Sequence, residues 1–460
     1  MSIYKKNEKT SPGNYRPVSV LSIVSKVLER VAYNQLEKYL NSNNLIYNLQ
    51  SGFRPGFSTD TCLIFLTDLI RKELDKGNYT GMVLIDLQKA FDTVDHTILL
   101  QKLKAIGLNP PSILWFQEYL TGRIQVVDIG GTVSDLNDIT CGVPQGSILG
   151  PLLFLLYVND ADAAVRCKLL LYADDSALLI SGKDVSSIEQ QLSEEMASLS
   201  DWLVDNKLSL HLGKTESILF GSKRKLKKHS SLKICCNGTD ISPTKSVKYL
   251  GAHINQTLSG DIMGNSVIKK SNAKLKFLYR KSNFLSDHAK KLLVSALIQC
   301  HFDYSCSFWY SNLSSKIKSK LQTTQNRMIR FVLGLDPRSH IGHDQFIKIN
   351  WLPVEQRVNQ IRLTHTHNFF QKRAPMYLTG DFSRVCDSHS YITRDSNLSF
   401  NVPHVKSFGL KSFQYTSIKL WNNLPNNIKR IEETSKFKYQ VKHHLLQIVL
   451  KKENNDFIYM

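Results

Sequence analysis

The chain has 460 residues and a formal net charge of +20, from 59 Lys and Arg against 39 Asp and Glu. With 42% apolar and 10% aromatic residues it can bury two or three cores, which excludes a disordered basic tail. An excess of positive charge on a folding chain points to a polyanion partner, nucleic acid or an acidic membrane surface.

The charge is uneven. Residues 1–220 hold 20 basic and 25 acidic residues, whereas residues 221–460 hold 39 basic and 14 acidic ones. The longest apolar run, Ile148 to Val158, is broken by Gly150 and Pro151 and is far short of the ~20 residues of a spanning helix. The polar N-terminus has no apolar signal core. The eight Cys form no CxxC pair with zinc-site spacing, so reduced thiols of an intracellular protein are expected.

In chain order, residues 1–80 read as loop and helix. Val20, Val24, Val27, Leu28, Val31 and Leu36 give Ser19–Leu40 a helical period, and the spacing predicts a second helix near 59–76. Residues 82–87 read as a buried strand with an Asp inside it. Helices are expected at about 96–106 and 112–120, and a hairpin over 123–129 and 132–140 around Gly130-Gly131. Ile148 to Val158 reads as a buried helix. Residues 168–173 and 176–181 form a second hairpin around Asp174-Asp175, followed by an amphipathic helix over 185–206. Strands are expected near 207–211, 216–220 and 247–254. This order suggests one mixed sheet with helices on one face. Residues 223–228 read as a solvated basic loop, and the chain beyond about 260 as helical and basic. A Pro-, Gly- and His-rich break lies near 336–350, a loop-rich stretch at 381–410, and a last helix at about 433–452.

Asp86, Asp174 and Asp175 each interrupt apolar sequence. A carboxylate in such a place is costly unless it is paired or binds metal, and two adjacent ones repel. Hard oxygen donors suit Mg2+, and two such ions drive in-line phosphoryl transfer. Asp-Asp in a hairpin also suits an ordinary turn.

The surrounding segments favour the first reading. NYRPVSVLSIVSKVLERV (14–31), LQSGFRPGFST (49–59), VLIDLQKAFDTVDH (83–96) and GVPQGSILGPLLFLLYVND (142–160) come first. LLLYADDSALL (169–179), NKLSLHLGKTESILF (206–220) and VKYLGAHI (247–254) follow. Together, over about residues 5–255, these resemble the ordered motifs of the reverse transcriptases of non-LTR (LINE-type, jockey-like) retrotransposons. The resemblance implies an α+β right-hand polymerase: fingers at 1–80, a palm with a mixed or antiparallel sheet at 81–258, a basic helical thumb at 259–335, and a mostly helical region of unknown role at 336–460. WLPVEQR and LWNNLPNNIK in that last region also resemble segments that follow the polymerase in such elements.

The resemblance implies roles residue by residue. Asp86 and Asp174 would hold two Mg2+ ions, with Mn2+ as a substitute, helped by Asp175 and the Leu87 carbonyl. Phe91 would pack under the incoming sugar and exclude a 2′-hydroxyl. Gln145 and Gly146 would line the nascent base pair, although Ser147 could simply cap the next helix. Arg54 and Arg16 would reach the triphosphate, for which a planar guanidinium is suited. Lys214 would protonate departing pyrophosphate, and Tyr249, Leu250 and Gly251 would grip the primer end. Lys269, Lys270, Lys274, Lys276, Arg280 and Lys281, on a helix with Leu275, Phe277 and Leu278, would lie along a nucleic-acid backbone. For each, a bland alternative is open: a core Phe, a turn, an ion pair or a solvated helix face.

The partners implied are an RNA template, a DNA primer and dNTPs, without a membrane. Such elements usually encode an endonuclease ahead of the polymerase, and none is seen here. That leads to the expectation of a truncated copy or host-captured remnant, and hence of a second class, an inactive nucleic-acid binder. A maturase- or telomerase-type enzyme fits the KAFDTVDH and GVPQGSILGP strings less well. A ribonucleoprotein in nucleus or cytoplasm is the expected location, with 223–228 either a localisation signal or a phosphate-binding loop.

Overall fold

A computed structural model describes residues 2–4, 8–11, 14–129, 131–388 and 396–456. In chain order it begins with a short antiparallel pair, β1 (Ser2–Tyr4) and β2 (Tyr15–Pro17), which the sequence reading did not anticipate. Helices α1 (Ile23–Ser42) and α2 (Thr59–Asp75) follow. Ser22 caps α1 by accepting from Ser25 N, and Ser58 with Thr61 forms a capping box on α2. Then come β3 (Tyr79–Ile85), α3 (His96–Ala105) and α4 (Pro110–Leu120), which starts at an Asn109 cap with Pro in its first turn.

The next segment is a hairpin of short strands: β4 (Ile124–Gln125) pairs with β7 (Asn137–Asp138), and β5 (Asp128–Ile129) with β6 (Thr132–Val133). Of its expected Gly-Gly turn, Gly130 lies outside the described residues. Helix α5 (Gly150–Tyr157), β8 (Lys168–Tyr172), β9 (Asp175–Gly182), α6 (Val185–Asp205) and β10 (Glu216–Phe220) match the expected positions. Residues 223–226 form a short helix, α7 (Lys223–Leu226), rather than a loop, because Ser222 caps it. Strands β11 (Ile234–Cys236) and β12 (Thr239–Pro243) were not read from the sequence. The 247–254 stretch is two strands, β13 (Ser246–Tyr249) and β14 (Ala252–Asn255).

The remainder is helical, as expected. It includes α8 (Asp261–Tyr279), α9 (Asp287–Val294), α10 (Cys300–Asp303), α11 (Cys306–Trp309) and α12 (Ser315–Leu333). Then follow α13 (His343–Ile349), inside the expected break, and α14 (Val354–Phe370). Two short helices, α15 (Met376–Thr379) and α16 (Val385–Ser388), precede α17 (Phe413–Asn422), α18 (Asn426–Lys429) and α19 (Thr434–Asp456). Part of the loop-rich stretch, 389–395, lies outside the described residues. Among the described residues, no helix is long and apolar enough to cross a membrane.

The chain divides into two compact units. The first contains residues 1–55, 81–217 and 231–244; the second contains 56–80, 218–230 and 245–460. The second unit thus joins α2 and the segment 218–230 to the chain beyond 245.

The main sheet has the strand order β11-β12-β10-β3-β9-β8 and is mixed: β10 pairs parallel with β12, whereas β8/β9 and β11/β12 are antiparallel. Every residue of central β3 is buried, which accounts for the apolar run Met82–Ile85 at its end. Helix α6 packs on the sheet through Ile188, Leu192, Met196, Leu199 and Leu203, the face that its periodicity marked.

Two expectations need correction. Residues 207–211 are not a strand: Lys207 takes a left-handed φ of +50°, only Leu210 bridges to Leu87, and the chain then winds into a 3-10 turn at Leu212–Lys214. Helix α1 does have a helical period, yet Val20, Val24, Val27, Leu28 and Val31 are exposed while Leu36, Leu40 and Glu29 are buried.

Candidate active site

In the first unit, β3 delivers Asp86 just past its last residue. The Asp86 carbonyl accepts from His211 N at 2.8 Å, which ties the strand end to the segment leading to Lys214. The Leu87–Leu210 bridge uses the Asp86 carbonyl and the Gln88 N–H, so the Leu87 carbonyl takes no part in it. Lys214 Nζ lies 3.2 Å from Asp86 Oδ2, with both side chains more than a third exposed.

The β8–β9 hairpin pairs Tyr172 with Asp175, leaving Ala173 and Asp174 as its turn. Ala173 has φ +57°, a left-handed conformation that L-residues adopt at a cost. What holds it there is the segment before α2. Gln50 is fully buried, and its Oε1 accepts from Gly52 N at 2.9 Å and from Ala173 N at 3.2 Å. Ser51 N donates to Leu171 O and Leu171 N to Leu49 O, a parallel bridge on the edge of β8. A Cβ on Gly52 would lie 2.4 Å from Ala173 N, so only glycine allows this approach.

Asp175 keeps an open face to solvent, but protein crowds the rest of its carboxyl. That burial, with Asp174 and Asp86 adding negative charge, pushes its pKa up to about 6. The three carboxylates thus sense one another. Their hard oxygens suit a hard divalent cation, and the smaller, repulsive share of the upward pull on Asp175, from Asp174 and Asp86, is what such a cation relieves. Among the described residues, no three His, Cys, Asp or Glu side chains already form a metal-ligand group, so the fit is one of donor chemistry.

Around these groups, the loop at 141–147 is stitched to the segment 91–96. Gly142 N donates to Val94 O, Val143 N to Phe91 O, and Gln145 Nε2 to Asp92 Oδ1 at 2.7 Å. Gly146 has φ +110°, and a Cβ there would lie 2.8 Å from the Ser19 carbonyl. Ser19 N in turn donates to Gln145 O. Ser147 Oγ accepts from Gly150 N at 2.7 Å, but the N-cap position of α5 is Leu149, two residues further on, and carries no side-chain cap. Phe91 is half-buried, stacked on Phe154 at 4.3 Å between centroids and edge-on to Phe53. Arg54 Nη1 donates to the carbonyls of Tyr47 and Gln50, bracing the loop that holds Ala173. Arg16 is exposed on β2, opposite Ile3.

Sequence reasoning missed Gln50, Asp92 and Glu29. Glu29 is buried, with Oε2 accepting from Ile148 N at 2.6 Å, so it secures the same loop. All three stand inside the quoted segments, Gln50 in LQSGFRPGFST, Asp92 in VLIDLQKAFDTVDH and Glu29 in NYRPVSVLSIVSKVLERV, but nothing local marks their distant partners.

The remaining expected residues lie in the second unit. Tyr249 is buried at the end of β13 with its hydroxyl 3.8 Å from Cys62 Sγ. Leu250 and Gly251 form the β13–β14 turn with φ of +47° and +78°, and the Leu250 carbonyl accepts from the Tyr304 hydroxyl. On α8, Lys269, Lys270 and Lys276 are exposed, as are Arg280 and Lys281 just beyond it. Lys274 is half-buried and donates to Leu297 O at 2.9 Å. The opposite face buries Met263, Val267, Leu275 and Leu278, but Phe277 is 60% exposed, against expectation. Its position in the helical period places it beside Lys276 and Arg280.

Residues 3–254 match the family described as reverse transcriptase (RNA-dependent DNA polymerase). The probable RNA-directed DNA polymerase from transposon X-element of Drosophila melanogaster is 26% identical over 71% of this chain and 36% of its own length. That of transposon BS from the same organism is 28% identical over 70% and 36%. The RNA-directed DNA polymerase from mobile element jockey of Drosophila funebris is 27% identical over 70% and 36%. The chain therefore spans about a third of the length of these curated relatives.

Proposed function

From the reverse transcriptase (RNA-dependent DNA polymerase) family, to which this chain belongs, we propose that it performs RNA-templated DNA synthesis in the manner of a non-LTR retrotransposon enzyme. The observation that carries the reading is that Asp174 and Asp86 both act on the Asp175 carboxyl, while Lys214 is ion-paired to Asp86. In the reaction, the primer 3′-hydroxyl gives up its proton to solvent and its oxygen bonds to the α-phosphorus of a dNTP as the bond from that phosphorus to pyrophosphate breaks. Asp86 and Asp174, with Asp175 in support, would hold two Mg2+ ions, with Mn2+ as a substitute. Bound there, the ions supply Lewis-acid stabilisation of charge on the attacking and leaving oxygens.

The chain's own groups do the rest. Lys214 donates the proton that departing pyrophosphate needs. Phe91, braced by Phe154, closes the floor beneath the sugar and disfavours a 2′-hydroxyl. Gln145 and Gly146 would line the nascent pair from the loop that Asp92 and Ser19 hold, and the β13–β14 turn and the basic face of α8 hold primer and template by backbone contacts that do not read sequence. Arg54 acts through the loop that it braces, and Arg16 is the exposed cation assigned to the triphosphate.

The test is extension by dNTPs of a DNA primer annealed to RNA, with and without Mg2+. Extension that needs Mg2+ and disappears in Asp174→Asn is expected. A folded parental chain that extends no better than Asp174→Asn overturns the proposal.

A further inference from the structure

The segment 221–230, in the second unit, is a closed loop with both ends held by one residue. Gly221 N donates to the Gln256 carbonyl at 3.1 Å, and Gln256 Nε2 donates to the Ser230 carbonyl at 2.6 Å. Gln256 itself is buried. Inside the loop, Ser222 Oγ accepts from Lys225 N and starts the turn of α7. Lys225 reaches back across the Tyr79 ring, 4.3 Å from its centroid, to donate to the Gly77 carbonyl. His229 meets the edge of the same ring.

Lys223, Arg224, Lys227 and Lys228 are exposed. Among the described residues, none of their side chains has an ion pair or a hydrogen bond. Four cations within six residues, without a counter-charge, repel one another and gather mobile anions. A polyphosphate that replaces those anions gains by releasing them. A merely solvated run needs no such anchoring, and ordering it costs conformational entropy. The clasp also opposes the other reading of a basic run: a localisation signal bound as an extended peptide would require the Gln256 bonds and the Lys225 anchor to open.

We infer that the pinned loop 221–230 is a phosphate-binding surface for a nucleic-acid backbone, in addition to α8. It rests on the chain being a nucleic-acid protein, as proposed above, but not on catalysis.

The test is a binding titration of the full chain with mixed-sequence single-stranded RNA across about 50 to 300 mM salt. The parental chain is compared with Lys223→Gln/Arg224→Gln/Lys227→Gln/Lys228→Gln, and with Lys223→Arg/Arg224→Lys/Lys227→Arg/Lys228→Arg, which keeps the charge. For the neutral variant, affinity at low salt should fall about tenfold or more. Its log K against log salt slope should become shallower by about 2 to 3, at roughly 0.7 per phosphate. The charge-keeping variant should retain both, and all three chains should share one melting temperature. An unchanged slope and affinity in the neutral variant overturns the inference alone. So does lost nuclear accumulation with RNA binding intact, which would assign the loop to localisation. A parental chain that binds no RNA at any salt overturns this inference together with the proposed function.

Discussion

The side-chain oxygen of Gln50 accepts the backbone N–H of Ala173 at 3.2 Å, and thereby holds the turn on which Asp174 stands. The same oxygen takes Gly52 N, so one buried acceptor serves two N–H groups that water cannot reach. Gln50→Ala should strand both donors and cost about 1–3 kcal/mol of unfolding free energy in urea. Gln50→Glu, which keeps the acceptor, should lose less extension activity than Gln50→Ala. Equal stability and equal activity in all three chains would show that the turn is held by other contacts.

Asp175 gives the site a pH signature. Burial first, then Asp174 and Asp86, raise its pKa from 3.8 to about 6 in the folded chain. The folded state therefore prefers the protonated form. The associated stability is fully present below about pH 4 and is lost as pH rises through about 6. Without divalent cations, the melting temperature of the parental chain should fall across that window relative to Asp175→Asn. Added Mg2+ should reduce the fall. Parallel melting curves for parental and variant chains from pH 4 to 7 would refute the shift.

Asp75, at the end of α2, accepts three backbone N–H groups of the C-terminal region: Lys406 at 2.9 Å, Phe408 at 2.8 Å and Gly409 at 2.9 Å. A carboxylate with three such donors is a strong local clamp. Asp75→Ala should destabilise the second unit by about 1–3 kcal/mol. It should also expose the chain near 400–412 to limited proteolysis, read by mass spectrometry of the fragments. An unchanged cleavage pattern would place the clamp elsewhere.

What could be read from the sequence was whatever depended on local pattern. The apolar run of β3 gave Asp86 its place, and the paired apolar runs around Asp174-Asp175 gave the hairpin. What could not be read depended on partners far along the chain. Gln50 meets Ala173 across 123 residues, and nothing in its neighbourhood marks that contact. Strand β12 is exposed except at Ile241 and ends in Pro243, so it lacks apolar alternation; its pairing with β10 and β11 defines it. Helix α1 was legible as a helix but not in its orientation. Its period marks one apolar face, and the part of that face up to Val31 is left exposed while Leu36 is buried.

His367 links the second unit to acid. It is fully buried against the Phe437 ring, and Nε2 lies 2.7 Å from the Ile431 carbonyl. That carbonyl requires a proton on Nε2, so the neutral ring serves it. Burial lowers the pKa, outweighing the Ile431 bond, which raises it. The folded state therefore disfavours the charged ring. The stability is present above the ordinary value of 6.5 and is lost as pH falls through the lowered folded value. Thermal unfolding of the parental chain should be less stable at pH 5 than at pH 7.5. His367→Gln, which keeps a donor without a titrating ring, should flatten the dependence. The same slope in both chains would assign it to other groups.

Lys214 separates two roles that one side chain plays. It sits 3.2 Å from Asp86 Oδ2, so it partly offsets the negative charge of the carboxylates, and it is also the proposed acid for pyrophosphate. Lys214→Ala removes both functions and should lower kcat by about 100-fold or more. Lys214→Arg retains a cation that can pair with Asp86, but a guanidinium does not give up a proton near neutral pH. If the proton matters, the Arg chain should be nearly as slow as the Ala chain, and the basic limb of its pH–rate profile should disappear. If pairing alone matters, Arg should restore most of the rate at every pH. Pre-steady-state extension on one primed RNA, with all three chains, decides between an acid and a counter-ion at the same carboxylate.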